Sequence, residues 1–346
     1  METLWFCLVA AMLAAYVLLD GFDIGAGIVH HWVARTDEQR RMVLASIGPV
    51  WDGNEVWLLA AGGTLYFAFP AVYASSFSGF YLPLMIVLWL LILRGVSVEF
   101  RSHIDSPVWK PFWDFGFTAA SVLLAVFFGA ALGNVLRGAP LEANGTFFVP
   151  LWTDLGVDGE LGVLDWYTIL VGVLALVTLA QHGALWVAMK TAGQIRERAA
   201  RLASALWFAA VILAVAVTAL TMRVQPQVRS NLAARPWGYV FPALAVAGLI
   251  LTLTRGEGPR ERLAFLGSCL FIGGMLSSAA FGLYPYLLPA RPDPARGLTV
   301  YNTATSAYGM KVGLAWWIPG MILALGYFIY AYRRFAGKVR LEGEGY

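Results

Sequence analysis

The sequence predicts an all-α integral membrane protein with about nine transmembrane helices. Of its 346 residues, 59% are hydrophobic and only 13% are charged, and the mean hydropathy is +0.68. A chain with so few polar side chains cannot cover the surface of a water-soluble globule. Its long apolar runs do not alternate with polar residues, which favours membrane helices of about 20 residues over the strands of a β-barrel.

The nine predicted spans are the apolar runs that lie between charged segments. They cover residues near 4–33, 43–69, 79–100, 112–136, 164–189, 203–222, 237–254, 262–288 and 314–332. The first run follows the initial Met without a basic segment before it. We therefore expect the start of the chain to be a retained span and not a cleaved signal peptide.

The chain is predicted to form one polytopic domain over residues 1–346, built as two four-helix bundles plus one peripheral helix. A Gly-, Pro- and acid-containing stretch indicates a loop between the two halves. The predicted parts are a first bundle over about 1–136, an outer loop over about 137–163, a second bundle and last helix over about 164–334, and a short cytoplasmic tail over 335–346.

The basic residues predict the orientation of the chain. Most of the 24 Lys and Arg residues lie in the loops after odd-numbered spans or in the C-terminal tail. Because basic loops stay in the cytoplasm, the N-terminus is expected outside and the C-terminus inside. The net charge is only +3 and the basic residues are dispersed, so nucleic acid is not an expected partner.

Two acidic pairs lie within predicted spans, where a carboxylate costs on the order of 3 kcal/mol. Asp20 and Asp23 lie late in the first span, three residues apart and on one helix face. Two carboxylates in a low dielectric do not easily both ionise, so this pair suits a proton-carrying site. A helix end capped by Asp remains the alternative. Asp52 and Glu55 repeat the spacing early in the second span.

Further polar residues are expected near these acids on the cytoplasmic side. Gly48 and Pro49 predict a break or kink just before Asp52. Arg94, Glu99 and Arg101 close the third span, and either arginine could pair with Glu99 or with the four acids above. A helix end with Arg101 reaching towards water is equally compatible with the sequence. Together these residues favour a proton entry path from the cytoplasm.

Histidines and cysteines offer little for metal or haem binding. His30, His31 and His103 are expected at the protein surface. His182 lies inside the fifth span, and a lone intramembrane His is more often hydrogen-bonded to a neighbouring helix than bound to a metal. Cys7 and Cys269 lie in apolar runs without metal-type spacing, so neither a disulfide nor a metal site is predicted.

At these residues the sequence resembles subunit II of the cytochrome bd ubiquinol oxidase family. The motifs that carry the resemblance are LDGFDIGAG at 19–27, GPVWDGNEVWLLAAGG at 48–63, FPAVYASSFSGFY at 69–81, RGVSVEFRS at 94–102 and, more weakly, QHGALW at 181–186. The match is dense from residue 15 to about 135 and looser beyond. GPVWDGNEVW is too specific for chance.

The resemblance implies a subunit of a respiratory enzyme in the bacterial cytoplasmic (inner) membrane. The partner would be a haem-bearing subunit I that binds two b haems and one d haem, so this chain would bind no haem or metal itself. Quinol, lipid, a structural quinone and a small single-helix accessory subunit are further expected partners. Quinol would be oxidised near the outer face, and oxygen would be reduced to water with protons from the cytoplasm.

Carried over by motif, the proton-path or charge-pairing positions would be Asp20, Asp23, Asp52, Glu55 and Arg101, and Trp51 would contact a quinone. Other members often carry Gln at the position of Glu55, so the resemblance supports that residue less than the aspartates.

Two competing functions stay open from the sequence. A proton-coupled secondary transporter would also use broken helices and intramembrane carboxylates. It would need matching polar helices in its second half, where spans five to nine contain His182 but few acids. A purely structural subunit without a proton role is the other possibility.

Overall fold

The computed structural model describes residues 1–254 and 256–339 and is almost entirely helical. The helices are α1 (Glu2–Val33), α2 (Asp37–Ile47), α3 (Trp51–Ala68), α4 (Pro70–Gly79), α5 (Tyr81–Phe100), α6 (Trp109–Arg137), α7 (Trp166–Lys190), α8 (Gly193–Val224), α9 (Pro226–Ala234), α10 (Val240–Leu251), α11 (Pro259–Leu283) and α12 (Ala307–Arg334). Two 3-10 turns cover Pro236–Tyr239 and Pro294–Arg296, and β1 (Tyr286–Leu288) pairs antiparallel with β2 (Leu298–Thr299).

The described helices confirm the membrane class, although not the expected number of nine spans. By length and composition, seven of them can cross a membrane: α1, α5, α6, α7, α8, α11 and α12. An eighth arises if the pair Pro226–Ala234 and Pro236–Leu251, bent by 112°, is counted as one span. The predicted second span is divided, because α2 ends at Ile47 and α3 begins at Trp51. This break lies at Gly48 and Pro49, as the sequence predicted.

Helix α1 lies at the centre of the molecule and packs against α3, α6, α7 and α11. Its crossing with α7 is close at Gly25 and Gly183. A Cβ atom on Gly183 would collide with the backbone of α1, and one on Gly25 would collide with the backbone of α7. Small residues permit such close approach between membrane helices, so the two glycines determine how near α1 lies to α7.

The remaining long helices pack around α1 in neighbouring pairs. Helix α5 packs against α6, α7 against α8, and α10 against α11. Helix α12 lies on the outside, and Trp317, Met321 and Phe328 join it to the cluster around Tyr16 and Trp57. Most of its other apolar side chains are exposed.

The connection between α6 and α7 is irregular and is held by a buried ion pair. Arg137 pairs with Asp165 and also donates a hydrogen bond of 2.9 Å to the carbonyl oxygen of Gly162. Asp165 in turn accepts hydrogen bonds of 2.8 Å from the backbone amides of Tyr167 and Thr168. The pair therefore joins the end of α6 to the capped start of α7.

The C-terminal segment is fastened to the ends of α7 and α11. Lys338 Nζ lies 2.9 Å from Glu261 Oε2, and Lys190 Nζ donates a hydrogen bond of 2.5 Å to the carbonyl oxygen of Phe335. Of the predicted tail 335–346, residues 340–346 lie outside the described part. The described portion does not extend freely into solvent, since these contacts hold it to the helix ends.

Candidate functional site

A buried cluster joins three helices around Arg94. The Arg94 Nη2 atom of α5 lies 2.7 Å from Asp20 Oδ1 of α1, an ion pair without hydrogen-bond geometry. The same Nη2 donates to Glu55 of α3. Asp20 and Arg94 are fully buried, whereas the Glu55 side chain keeps 26% of its surface exposed. Glu55 therefore connects the cluster to the protein surface.

Asp23 lies in the same region but is held by neutral groups. Asn54 Nδ2 donates a hydrogen bond of 2.7 Å to Asp23 Oδ2, and Asn54 Oδ1 accepts one of 2.9 Å from the Tyr332 hydroxyl. Within residues 1–254 and 256–339, no Lys, Arg or His makes an ion pair with Asp23. Asp20 and Asp23 thus share a helix face and burial, yet only Asp20 has a cation.

Sequence reasoning missed the two neutral partners. Asn54 was visible only as one letter of the motif around Asp52, although an amide that lies between two acids of a predicted span, Asp52 and Glu55, is a usable signal. Tyr332 lies at the end of the last predicted span, a position typical of aromatic residues at the membrane–water interface. Its hydroxyl instead points inward to Asn54.

A second charged cluster lies nearer the helix ends and centres on Asp114 of α6. Arg101 donates to Asp114 at 2.6 and 3.1 Å and to Asp37 at 2.8 Å. Arg40 contributes a further contact of 3.0 Å to Asp114, and His30 Nε2 lies 2.8 Å from its Oδ1. The cluster ties α1, α2, α5 and α6 together at one end.

This second cluster corrects two expectations. His30 was expected at the surface, but it is fully buried because Asp114 of α6 faces it across the helix contact. For Arg101 the sequence left open a pair with Glu99 or the acids of α1 and α3, or a helix end that reaches towards water. It pairs instead with Asp114 and Asp37. The missed residue, Asp114, was detectable as a lone carboxylate two residues inside the predicted span 112–136.

Asp37 lies outside the membrane helices, and its environment favours the ionised form. Burial raises the pKa of its carboxyl, but the hydrogen bond from Arg101 and the charges of Arg101 and Lys110 outweigh burial. The net result is a pKa below the ordinary value. Asp37 is therefore a counter-charge for Arg101 at neutral pH.

The structure does not bring every predicted residue into these clusters. Asp52 and Glu99 are exposed on α3 and α5. Trp51 is half-buried and packs over Gly95, where an added Cβ would lie 3.3 Å from its ring. His31 and His103 are exposed, as expected. The predicted set therefore divides into a buried centre and a surface group.

His182 is bonded to neighbouring helices. Its Nδ1 lies 2.7 Å from the Ser268 hydroxyl, its Nε2 lies 3.0 Å from the Leu18 carbonyl oxygen, and its ring stacks on Phe265 with centroids 4.8 Å apart. Both ring nitrogens thus have partners on α1 and α11. Among the residues that the structure describes, no group of three or more His, Cys, Asp or Glu side chains is arranged to hold a metal ion.

Comparison with known proteins places this architecture in a family. The sequence model described as "Cytochrome bd terminal oxidase subunit II" matches residues 1–335. A Haemophilus influenzae protein named "Probable cytochrome oxidase subunit 2" is 33% identical, over 97% of this chain and 94% of its own length.

Two other relatives and one solved structure agree with this result. The "Cytochrome bd-I ubiquinol oxidase subunit 2" of Escherichia coli K12 is 29% identical, over 98% of this chain and 95% of its own length. The "Cytochrome bd ubiquinol oxidase subunit 2" of Bacillus subtilis is 28% identical, over 90% of this chain and 89% of its own. A chain of the bd oxidase from Geobacillus thermodenitrificans shares the fold, with a TM-score of 0.75, 19% identity and coverage of 96% of this chain and 98% of its own. The chain therefore belongs to the cytochrome bd terminal oxidase subunit II family, and it is a subunit of a respiratory quinol oxidase of the bacterial inner membrane.

Proposed function

We propose that this chain is the haem-free subunit of its oxidase and that it supplies a proton route from the cytoplasm to a haem-bearing partner, subunit I. The Escherichia coli and Bacillus subtilis relatives are named as subunit 2 of ubiquinol oxidases, which supports quinol as the electron donor. His182 has protein partners at both ring nitrogens, and Asp114 holds the Nε2 atom of His30, which supports haem ligation by the partner subunit.

In the proposed reaction the two half-reactions lie on opposite sides of the membrane. Quinol releases its protons outside, and its electrons pass through the b and d haems of the partner subunit to oxygen. Each oxygen molecule takes four electrons and four cytoplasmic protons to form two water molecules. Charge separation then follows from the placement of the half-reactions, and no proton needs to be pumped.

The observation that carries the proton route is that the two buried acids of α1, Asp20 and Asp23, and the half-buried Glu55 of α3 have different partners. Arg94 contacts Asp20 and Glu55, whereas the side chain of Asp23, among the described residues, receives only the amide of Asn54. Burying an ion without a counter-charge costs several kcal/mol, and one guanidinium compensates one carboxylate. In the proposed route Arg94 holds Asp20 as the anion, and Asp23 is the neutral acid that carries the proton.

Glu55 and Asp52 form the part of the proposed route that lies nearest the protein surface. The half-exposed Glu55 connects Arg94 to the protein surface, and the exposed Asp52 lies one turn before it, where it would collect protons from water. Glu99 is exposed near the end of α5, and the proposed route does not pass through it. Arg101 has a structural task, since it binds Asp114 and Asp37.

The proposal retains the predicted topology of nine crossings with the N-terminus outside. Helix α3 and the bent pair α9–α10 supply the two crossings beyond the seven that composition identifies. Helix α3 has 18 residues, but Asp52, Asn54 and Glu55 lower its mean hydropathy. A polar helix can cross a membrane where other helices cover its polar face. The two bundles and the peripheral α12 would then follow the predicted order.

An apolar cavity of about 220 Å³ is the proposed place for a structural quinone. Gly21, Phe128, Leu132 and Phe271 are among its lining residues. The buried Thr178 hydroxyl also lines it and has no hydrogen-bond partner among the described residues. The apolar walls fit an isoprenoid tail and Thr178 fits a quinone oxygen. Trp51, the quinone contact that the resemblance implies, does not line this cavity. A small single-helix subunit remains a further proposed partner.

The structure offers no support for the secondary transporter. Its buried acid pair on α1 has no counterpart among the described residues of α7–α12, where Glu261 lies in the first turn of α11 and pairs with Arg196. The choice that remains is between a proton-carrying subunit and a purely structural one.

The test is to co-express this chain with its subunit I and compare Asp23→Asn with Glu99→Gln. We expect Asp23→Asn to lower quinol-dependent oxygen uptake roughly tenfold or more, because the neutral carrier is removed. The exposed Glu99→Gln should retain uptake, and both should retain the reduced-minus-oxidised haem spectrum. Intact haem with full turnover in Asp23→Asn would leave only the structural role. An inactive, haem-free preparation in which the two chains do not co-purify would refute the oxidase assignment.

A further inference from the structure

An open groove of about 460 Å³ lies between the N-terminal half of α1 and the C-terminal half of α11. Its walls are mainly apolar and include Ala10 and Ala14 on α1 and Phe281 on α11. Along α1 the lining residues extend from Thr3 to Ala14, which is about 16 Å of helix at 1.5 Å per residue. Half of a hydrocarbon core of about 30 Å has nearly the same depth. The groove is thus as long as one leaflet of the bilayer.

One end of this groove is polar and positively charged. Arg235 lines it, is exposed, and stacks its guanidinium 5.5 Å from the centre of the Tyr284 ring. The Tyr284 hydroxyl bonds to Thr3 at 3.0 Å and to Tyr301 at 2.6 Å. Trp237, also at this end, is of the type that lies at the membrane–water interface. Over residues 1–254 and 256–339, Arg235 forms no ion pair with a carboxylate.

We propose that this groove binds one phospholipid, with an acyl chain between α1 and α11 and the phosphate on Arg235. Arg235 has no carboxylate partner among the described residues, and it lies at the polar end of an apolar groove that is as long as one leaflet. These features match a molecule that is anionic at one end and apolar along its length. Guanidinium groups bind phosphate through paired hydrogen bonds. In the predicted orientation the lipid belongs to the outer leaflet. This site goes beyond the proposed proton route and does not overlap Asp20 or Asp23.

Cys7 lies in the wall of the groove and supplies a direct readout. A bound acyl chain would cover its thiol. In the purified two-subunit complex carrying Cys269→Ser, the rate of maleimide labelling at Cys7 is followed by peptide mass spectrometry, and phospholipid per complex is counted after extraction. Arg229→Gln is the matched control, because Arg229 is an exposed arginine of α9 that does not line the groove.

We expect Arg235→Gln to lose one phospholipid per complex and to label several-fold faster at Cys7, with Arg229→Gln unchanged. Phosphatidylglycerol vesicles added to stripped complex should restore protection in the parent protein, a result that does not depend on the variant folding. Equal lipid content in both variants would overturn the proposal. So would protection by inorganic phosphate alone, protection by quinone alone, or protection that persists after complete lipid removal, since a protein segment would then cover the groove.

Discussion

Asp114→Asn removes the negative charge that compensates Arg101 inside the protein. The side chains of Arg101 and Asp114 are almost fully buried and meet at 2.6 and 3.1 Å. After the change Arg101 keeps Asp37, whose side chain is 50% exposed, and His30 loses its charged partner. Leaving a buried charge without its partner costs about 3–5 kcal/mol. At about 2 °C per kcal/mol for a large domain, the expected loss is roughly 6–10 °C in Tm.

The assay is thermal unfolding of the purified complex in detergent, followed by tryptophan fluorescence at one fixed scan rate, because unfolding of such a complex is irreversible. Asp37→Asn is the control, since it removes the partly exposed partner of the same arginine and should cost at most about 1 kcal/mol. The lowered pKa of Asp37 means that its contribution is complete at neutral pH and is lost only as the pH falls through that lowered value.

The double variant Asp114→Asn with Arg101→Gln should recover part of the lost stability, because it removes the unpaired charge as well. A loss in Tm for Asp114→Asn that is no larger than the loss for Asp37→Asn would contradict this expectation. In that case water or another group would compensate Arg101.

Two further substitutions test the packing of α1 and the hydrogen bond from α12. Gly183→Ala places a carbon atom against the backbone of α1 and should prevent stable assembly of the complex. Gly273→Ala is the control, because its added Cβ meets nothing within 4 Å, and it should leave the yield of complex unchanged or slightly raised. Equal yields of the two variants would contradict the close crossing of α1 and α7. Tyr332→Phe removes the hydroxyl bonded to Asn54 and should lower the stability measured by thermal unfolding by about 1 kcal/mol. Tyr330→Phe is the control, because the Tyr330 side chain is exposed. Equal stability of the two variants would show that the hydrogen bond is not made.

The charge pairing shows where sequence reasoning reached its limit. The sequence indicated that Arg94 and Arg101 needed acidic partners, and their spacing of seven residues placed them about 10 Å apart along α5. It could not assign the partners, because each helix has several neighbours and its rotation decides which one an arginine faces. Only the packed structure shows Arg94 between α1 and α3 and Arg101 against α6.

The sequence by itself determined the membrane class, the break at Gly48 and Pro49, the family motifs and the presence of acids within the first spans. These follow from composition, backbone chemistry and local order along the chain. Tertiary structure alone decided that Asp23 is buried with no cation beside it among the described residues, that Asp52 is exposed, and that Asp114 holds the second cluster. The physical reason is that lipid-facing and protein-facing positions of a membrane helix are both apolar, so the pattern along one helix does not reveal which face its neighbours cover.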